Sequence, residues 1–220
     1  MAQIVSVAGV PLGLDMPALV KELKLEGKTA LIRRLERLAA AAVDVARPKA
    51  AARLSALKAL DADRMRMDHV ILTSPLMVQH MAGLGRVFPY LVTEGRELHE
   101  WALGLESRFD VVVSAFLREI APAQYLKLLE EKLLQEYGMR QLSLMSPGSL
   151  AAWPIEQQGE LFRLLAPVPE RLGVALLPSF MMKPEYSESG VFFETEKKFY
   201  NCRLCPQPAC RGRQAAYRGG

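Results

Sequence analysis

Between residues 28 and 46 apolar side chains return at helical spacing. Leu31, Leu35, Leu38, Ala42 and Val45 share one face, and Arg33, Arg37 and Asp44 the other, which predicts a helix that covers a core and exposes charge. Arg47-Pro48 ends it, because the residue before a proline is driven out of the helical region. The Ala-rich run from Ala50 to Ala59 fits a helix by propensity, whereas Met65, Met67 and His69 alternate with Arg66 and Asp68 and predict a strand near 65 to 71. The Ala run itself stays open between helix and strand. Ser74 caps a short helix with Pro75 in its first turn, ending by Gly83-Leu84-Gly85. Val87 to Thr93 reads as a buried strand, and Glu94-Gly95 turns it into a helix carrying Leu98, Trp101 and Leu105. From Asp110 to Gly138 the pattern is helical with a break expected at Ala121-Pro122 and a stop at Gly138.

The stretch from Met139 to Leu165 combines the most informative signals. Leu142 and Leu144 alternate with Gln141 and Ser143 as in a half-buried strand. Ser146-Pro147-Gly148-Ser149 then forces a tight turn, expected to leave backbone N–H and C=O groups free for a ligand. A helix restarts at Pro154, with Glu156 near its positive end and Ile155, Leu161, Phe162 and Leu165 on one face. Gln158 lies on that apolar stripe and needs hydrogen-bond partners, for which the neighbouring loop backbone is the nearest source. Gly173 to Leu177 and Gly190 to Thr195 read as further strands, and residues 1 to 25 as an irregular lead-in. Strands mixed irregularly with helices, without an internal repeat, predict an α+β domain.

Composition changes the picture in two ways. The chain has 220 residues, half of them hydrophobic, so it is expected to be globular. Its formal charge of +4 is misleading, because Lys197, Lys198, Arg203, Arg211, Arg213 and Arg218 follow the last acid, Glu196; without these six the formal charge is −2. The basic character belongs to a tail and makes no general case for nucleic-acid binding. No Lys or Arg precedes Lys21 and no apolar run approaches the roughly 18 residues that span a bilayer, so a cytoplasmic protein without a membrane partner is expected.

All three cysteines lie in that tail, in Asn-Cys-Arg-Leu-Cys-Pro-Gln-Pro-Ala-Cys-Arg-Gly-Arg. The spacing of Cys202 and Cys205 lets two sulfurs face one metal, and the prolines that follow can bring Cys210 round as a third ligand. Arg203, Arg211 and Arg213 would favour thiolates. Zinc or an iron-sulfur cluster suits three thiolates, each needing a further non-Cys ligand; reduced cysteines in a tail are the plainer alternative. His99, after Thr93-Glu94-Gly95, reads as structural. No nucleophile, base and orienting group stand together, and no glycine-rich phosphate loop is present, so no catalytic residue is assigned.

These motifs occur in a particular order: Leu91-Val92-Thr93-Glu94-Gly95, two long helices, Ser146-Pro147-Gly148, Trp153-Pro154-Ile155-Glu156-Gln157-Gln158, Gly173-Val174, Met181-Met182-Lys183-Pro184, and the cysteines. That order resembles the activation (reactivation) domain of cobalamin-dependent methionine synthase, in a stand-alone form with a C-terminal Cys-x2-Cys-x4-Cys tail. The likeness runs from about residue 85 to 213, and more weakly back to Arg47-Pro48-Lys49. It implies a single α+β domain over residues 1 to 200, a twisted antiparallel sheet with flanking helices, and a basic tail over 201 to 220.

It also implies an accessory role in methionine biosynthesis. The domain would dock on the cobalamin-bearing module of a methyltransferase, whose inactive cobalamin is reduced by an electron-transfer partner and remethylated from S-adenosylmethionine. By this resemblance Pro147 and Gly148 hold S-adenosylmethionine; the backbone of Ser146, Pro147, Gly148 and Ser149 is expected to meet an adenine or ribose edge, and Trp153 to offer a stacking face. The family loop reads Arg-x-x-Pro-Gly-Tyr; here Leu144 stands at the Arg position and Ser149 at the Tyr position. A binding module that grips a corrinoid protein and presents a metal-bearing tail, as scaffold or electron relay, is the competing expectation.

Overall fold

The structure is a computed structural model, and it describes residues 3 to 207 and 213 to 218. Elements follow in chain order: β1 (Ile4–Ala8), α1 (Met16–Glu22), α2 (Thr29–Val45), β2 (Lys49–Arg53), β3 (Ser55–Ala59), β4 (Arg64–Met67), β5 (Val70–Thr73), α3 (Pro75–Met81) and β6 (Arg86–Thr93). Then come α4 (Arg96–Leu103), α5 (Arg108–Tyr137), β7 (Leu142–Met145), a 3-10 turn (Ile155–Gln157), α6 (Gln158–Leu165), α7 (Val168–Leu172), β8 (Ala175–Leu176), β9 (Met182–Lys183) and β10 (Ser187–Glu194). A second 3-10 turn, Asn201–Arg203, follows in the tail.

Among the described residues eight strands form one antiparallel sheet around β6, which pairs with β2 and β3 on one edge and β10 on the other; β7 closes the β10 side and β1 the β2 side. The fold is α+β, as expected. Pro89 lies within this central strand, where the missing N–H would normally break a ladder. On that edge β2 pairs with β6 through Tyr90 and β3 through Val87, so the proline falls opposite the break between the two strands.

Three cores organise the layers. Met65, Leu91, Trp153, Leu161 and Leu165 fill the space between the sheet and α3, α6 and α7. Tyr90, Tyr125, Leu129 and Phe192 join the other sheet face to α5. Leu35, Ala42, Leu98 and Leu117 pack α2 and α4 against the far side of α5. A helix covered on both sides needs apolar residues around most of its girth, which is why α5 shows two stripes in the sequence.

Several expectations are corrected. Residues 1 to 25 hold an edge strand and a helix, the latter capped by Asp15, whose carboxylate accepts the Ala18 N–H at 3.0 Å. The Ala-rich run forms β2 and β3. Ala50, Ala51 and Ala52 are buried on both faces, and small side chains are what a sheet sandwiched between helices has room for at that point. The strand expected over 65 to 71 is a hairpin, with Asp68 at a positive φ of 46° between β4 and β5. Pro122 does not divide the long helix; α5 runs through it for 30 residues and stops at Gly138, left-handed at φ 62°. No helix among the described residues is long and apolar enough to cross a membrane.

Candidate functional site

The turn at the end of β7 is built from the strand pairing outward. β10 alternates Glu188, Gly190 and Phe192 toward α5 with Ser189, Val191 and Phe193 toward α6. Gly190 has no side chain because there is no room for one: a Cβ there would stand 2.4 Å from the Met145 carbonyl oxygen, 2.7 Å from Tyr90 Oη and 2.9 Å from Ser146 Oγ. This close approach lets three polar side chains converge. Tyr90 Oη donates to Glu188 Oε1 at 2.5 Å, Ser146 Oγ donates to the same oxygen at 3.0 Å, and the two hydroxyls are 3.1 Å apart. Burial pushes the Tyr90 phenol well up, and the charge and hydrogen bond of Glu188 push it further, so it stays protonated as a donor.

Above this cluster the chain reverses. Gly148 is left-handed at φ 77° and donates its N–H to the Trp153 carbonyl at 2.8 Å. The Ser149 N–H and Oγ both turn back to the Ser146 carbonyl, at 3.3 and 2.6 Å. These internal bonds correct the expectation that the turn leaves its backbone N–H groups for a ligand: those of Gly148 and Ser149 are already used. Pro147 is buried, Ser146 half-buried, and Gly148 and Ser149 are exposed. Trp153 is 1 % exposed in the core beneath the turn, its Nε1 without a hydrogen-bond partner among the described residues. The ring supports the turn from below and presents no open face.

Gln158 finds its partners in other segments, not in this turn. Its amide donates to the Phe180 carbonyl at 2.8 Å and accepts from Ser189 Oγ at 3.1 Å. It thereby ties the loop between β8 and β9 to β10.

The tail returns to the turn. The Phe199 N–H donates to Ser143 Oγ at 2.7 Å and its ring meets His80 at 4.6 Å, while Asn201 Nδ2 donates to Ser149 Oγ at 3.1 Å. Cys202 and Cys205 follow as free, half-buried thiols, and the Gln214 N–H donates to Cys202 Sγ at 3.3 Å. Arg213 donates to the carbonyls of Cys202 at 2.9 Å and Cys205 at 3.2 Å, and also to that of Gln207. Its guanidinium therefore braces the backbone around the two cysteines, where the sequence suggested a partner for thiolates. Arg203 lies over the Tyr200 ring. Cys210 and Arg211 lie outside the described residues, and among the described residues no three potential metal ligands come together.

A second polar cluster sits past the end of β6. Arg118 on α5 donates to both oxygens of Glu94, at 2.6 and 2.7 Å, and to His99 Nδ1 at 2.7 Å. A guanidinium only donates, so Nδ1 is the acceptor and the ring proton is on Nε2, which has no hydrogen-bond partner among the described residues. The Tyr186 N–H also meets Glu94 at 3.2 Å, and its ring lies 4.5 Å from the guanidinium. Burial acts to lower the Arg118 pKa, but the hydrogen bonds and charge of Glu94 outweigh it and raise it. Glu94 is fully buried, so this cluster is an internal lock, as the structural reading of His99 implied. A cavity of about 290 Å³ lined by Gly9, Val10, Arg47, Pro48, Lys49 and Tyr125 opens at the β1 edge. Three strands separate β1 from β7, so this cavity and the turn lie on opposite edges of the sheet.

Tyr90, Glu188 and Gly190 were not singled out by the sequence. The one signal was the polar run Ser187-Glu188-Ser189-Gly190, which makes an unusual opening for a central strand.

No family model matches the chain, and no curated protein matches it. Among solved structures it is similar to one described as the MetH reactivation domain bound to AdoHcy, at 18% sequence identity and a TM-score of 0.60, over 90% of this chain and 80% of that one. An antiparallel sheet centred on β6, with α5 on one face and α6 on the other, thus gives this chain the fold of the MetH reactivation domain.

Proposed function

We propose that this chain is an accessory protein for the reductive remethylation of a corrinoid methyltransferase of the methionine synthase type, with S-adenosylmethionine held at the Ser146–Ser149 turn. The observation that carries the reading is the fold likeness over nine-tenths of the chain to a domain whose structure holds AdoHcy, the product left when S-adenosylmethionine gives up its methyl group. The residues at the turn fit such a ligand. Ser146 and Ser149 bring hydroxyls, Gly148 leaves the exposed corner without a side chain, and a carboxylate lies beneath. S-adenosylmethionine supplies a sulfonium methyl group; the protein's part is to position that ligand against the partner's cobalamin and exclude water.

The competing reading, a corrinoid-binding module with a metal-bearing tail, is favoured by one observation: Asn201, beside Cys202, joins the tail that carries the cysteines to Ser149. In it Cys202, Cys205 and Cys210 hold zinc or an iron-sulfur cluster, as a clip or a relay toward an electron-transfer protein. One preparation tests both. The protein is purified without oxygen, its metal content is measured, and it is added with a reductant and S-adenosylmethionine to methionine synthase in the inactive cob(II)alamin state. Recovery of activity is expected. No recovery, with one equivalent of zinc bound or with the iron and sulfide of a cluster, would favour the module.

A further inference from the structure

The turn has lost the two side chains that its resemblance led one to expect, since Leu144 and Ser149 replace an Arg and a Tyr, and the N–H groups of Gly148 and Ser149 are engaged. The charge at the site therefore comes from elsewhere. Glu188 is the one carboxylate beside Ser146, and both bonds it makes, from Tyr90 and from Ser146, reach the same oxygen. Among the described residues Oε2 has no hydrogen-bond or ion-pair partner. A second acid, Glu130, acts on the Tyr90 phenol from α5, but Lys198 neutralises it at 2.6 Å. Glu130 and Lys198 thus offset each other, and Glu188 is the carboxylate left beside Ser146 without a cationic partner among the described residues. Gly190 is the packing device behind it, because any Cβ would push Tyr90, Ser146 and the β7 backbone apart.

Resting on the ligand reading above, we propose that Glu188 is the residue that recognises the cationic part of the ligand, the ammonium or sulfonium of S-adenosylmethionine. Two neutral donors fix one oxygen of the carboxylate, so its orientation is set before a ligand arrives, and the other oxygen is left to receive positive charge. Such pre-orientation lowers the cost of ordering the carboxylate on binding. The hydroxyls of Tyr90 and Ser146 are thus positioning groups, and Glu188 makes the contact. No Arg is needed in the turn if the ligand is held by its positive end instead of its carboxylate.

The experiment is calorimetric, on the full chain and on Glu188→Gln, with S-adenosylmethionine, S-adenosylhomocysteine and 5′-methylthioadenosine, which carries neither ammonium nor sulfonium. Gln keeps the size and an acceptor for both hydroxyls, and matching melting curves establish that the variant is folded. Glu188→Gln is expected to weaken S-adenosylmethionine about tenfold or more, the worth of a charge-assisted contact, and to leave methylthioadenosine within about twofold. An equal loss for S-adenosylhomocysteine assigns the contact to the ammonium, and a loss confined to S-adenosylmethionine assigns it to the sulfonium. Unchanged binding of S-adenosylmethionine, or an equal loss for all three ligands, overturns the role of Glu188 and leaves the ligand reading standing. If the unaltered chain binds none of the three, the ligand reading itself fails and the inference falls with it.

Discussion

Arg118 holds a demanding position. It is 8% exposed in its side chain and faces a Glu94 that is fully buried, so removing it strands a carboxylate in the interior. Arg118→Met is expected to lower unfolding stability by about 3–5 kcal/mol, measured by urea titration. The double variant with Glu94→Gln should recover part of that loss, because the stranded charge goes with it. The resemblance had drawn attention to Thr93-Glu94-Gly95 as a motif, and its role is now physical. Glu94 is the acid of the lock. Gly95, at φ 89° with a would-be Cβ 2.4 Å from the Arg47 carbonyl, lets the chain turn from β6 into α4 against the end of α2. Neither role is visible in the order of residues, since Glu94 and Arg118 are 24 positions apart and only the packing of α5 on the sheet joins them.

Among the elements, α5 departs most from its sequence pattern. Pro122 has no N–H to offer the Arg118 carbonyl and its ring crowds the preceding turn, yet the helix continues on both sides. Burial explains why: Leu117, Ala121 and Tyr125 around the proline pack on the sheet and on α2, and that contact outweighs the local preference to break. Pro122→Ala is expected to raise stability by about 1–2 kcal/mol, a helix-interior gain reduced by the extra freedom of the unfolded chain. An unchanged or lower denaturation midpoint would mean that the packing around residue 122 depends on the proline ring. β6 and β2 were legible to different degrees for a related reason. A strand covered on both faces shows no alternation. Val87 to Thr93 is bulky and β-prone and reads as a strand without it, whereas Ala50–Ala52 does not.

For the molecule as a whole, the tail is the part whose role depends on what it touches. Phe199, Asn201 and Leu204 fasten it to β7, the Ser149 turn and the α3 core, although its composition reads as a solvated basic arm. Deleting residues 199 to 220 is expected to leave the far-UV circular dichroism of the domain in place. It should lower the melting temperature by about 2–8 °C, as the loss of about 1–2 kcal/mol does in a chain of this size. A melting temperature that does not move would show that these contacts contribute nothing and that the tail is an independent arm. The same anchoring brings the two stretches that the sequence marked for chemistry, Ser146–Ser149 and Cys202–Cys205, next to each other through one hydrogen bond.

Local rules were enough for the elements whose signals are contained within a few turns. The periodicity of α2, the Ser74 cap, the left-handed stop at Gly138 and the reversal at Gly148 all follow from side-chain spacing and from the conformations that Ser, Pro and Gly allow. The site was of another kind. Tyr90 and Glu188 stand 98 residues apart and Ser146 lies 42 from Glu188, and they meet only because β6, β10 and β7 are neighbours in register. Strand register is set by the collective burial of both faces of the sheet, a long-range property that no window of sequence contains. The turn could therefore be recognised from its residues, but the carboxylate beneath it was decided by the tertiary fold.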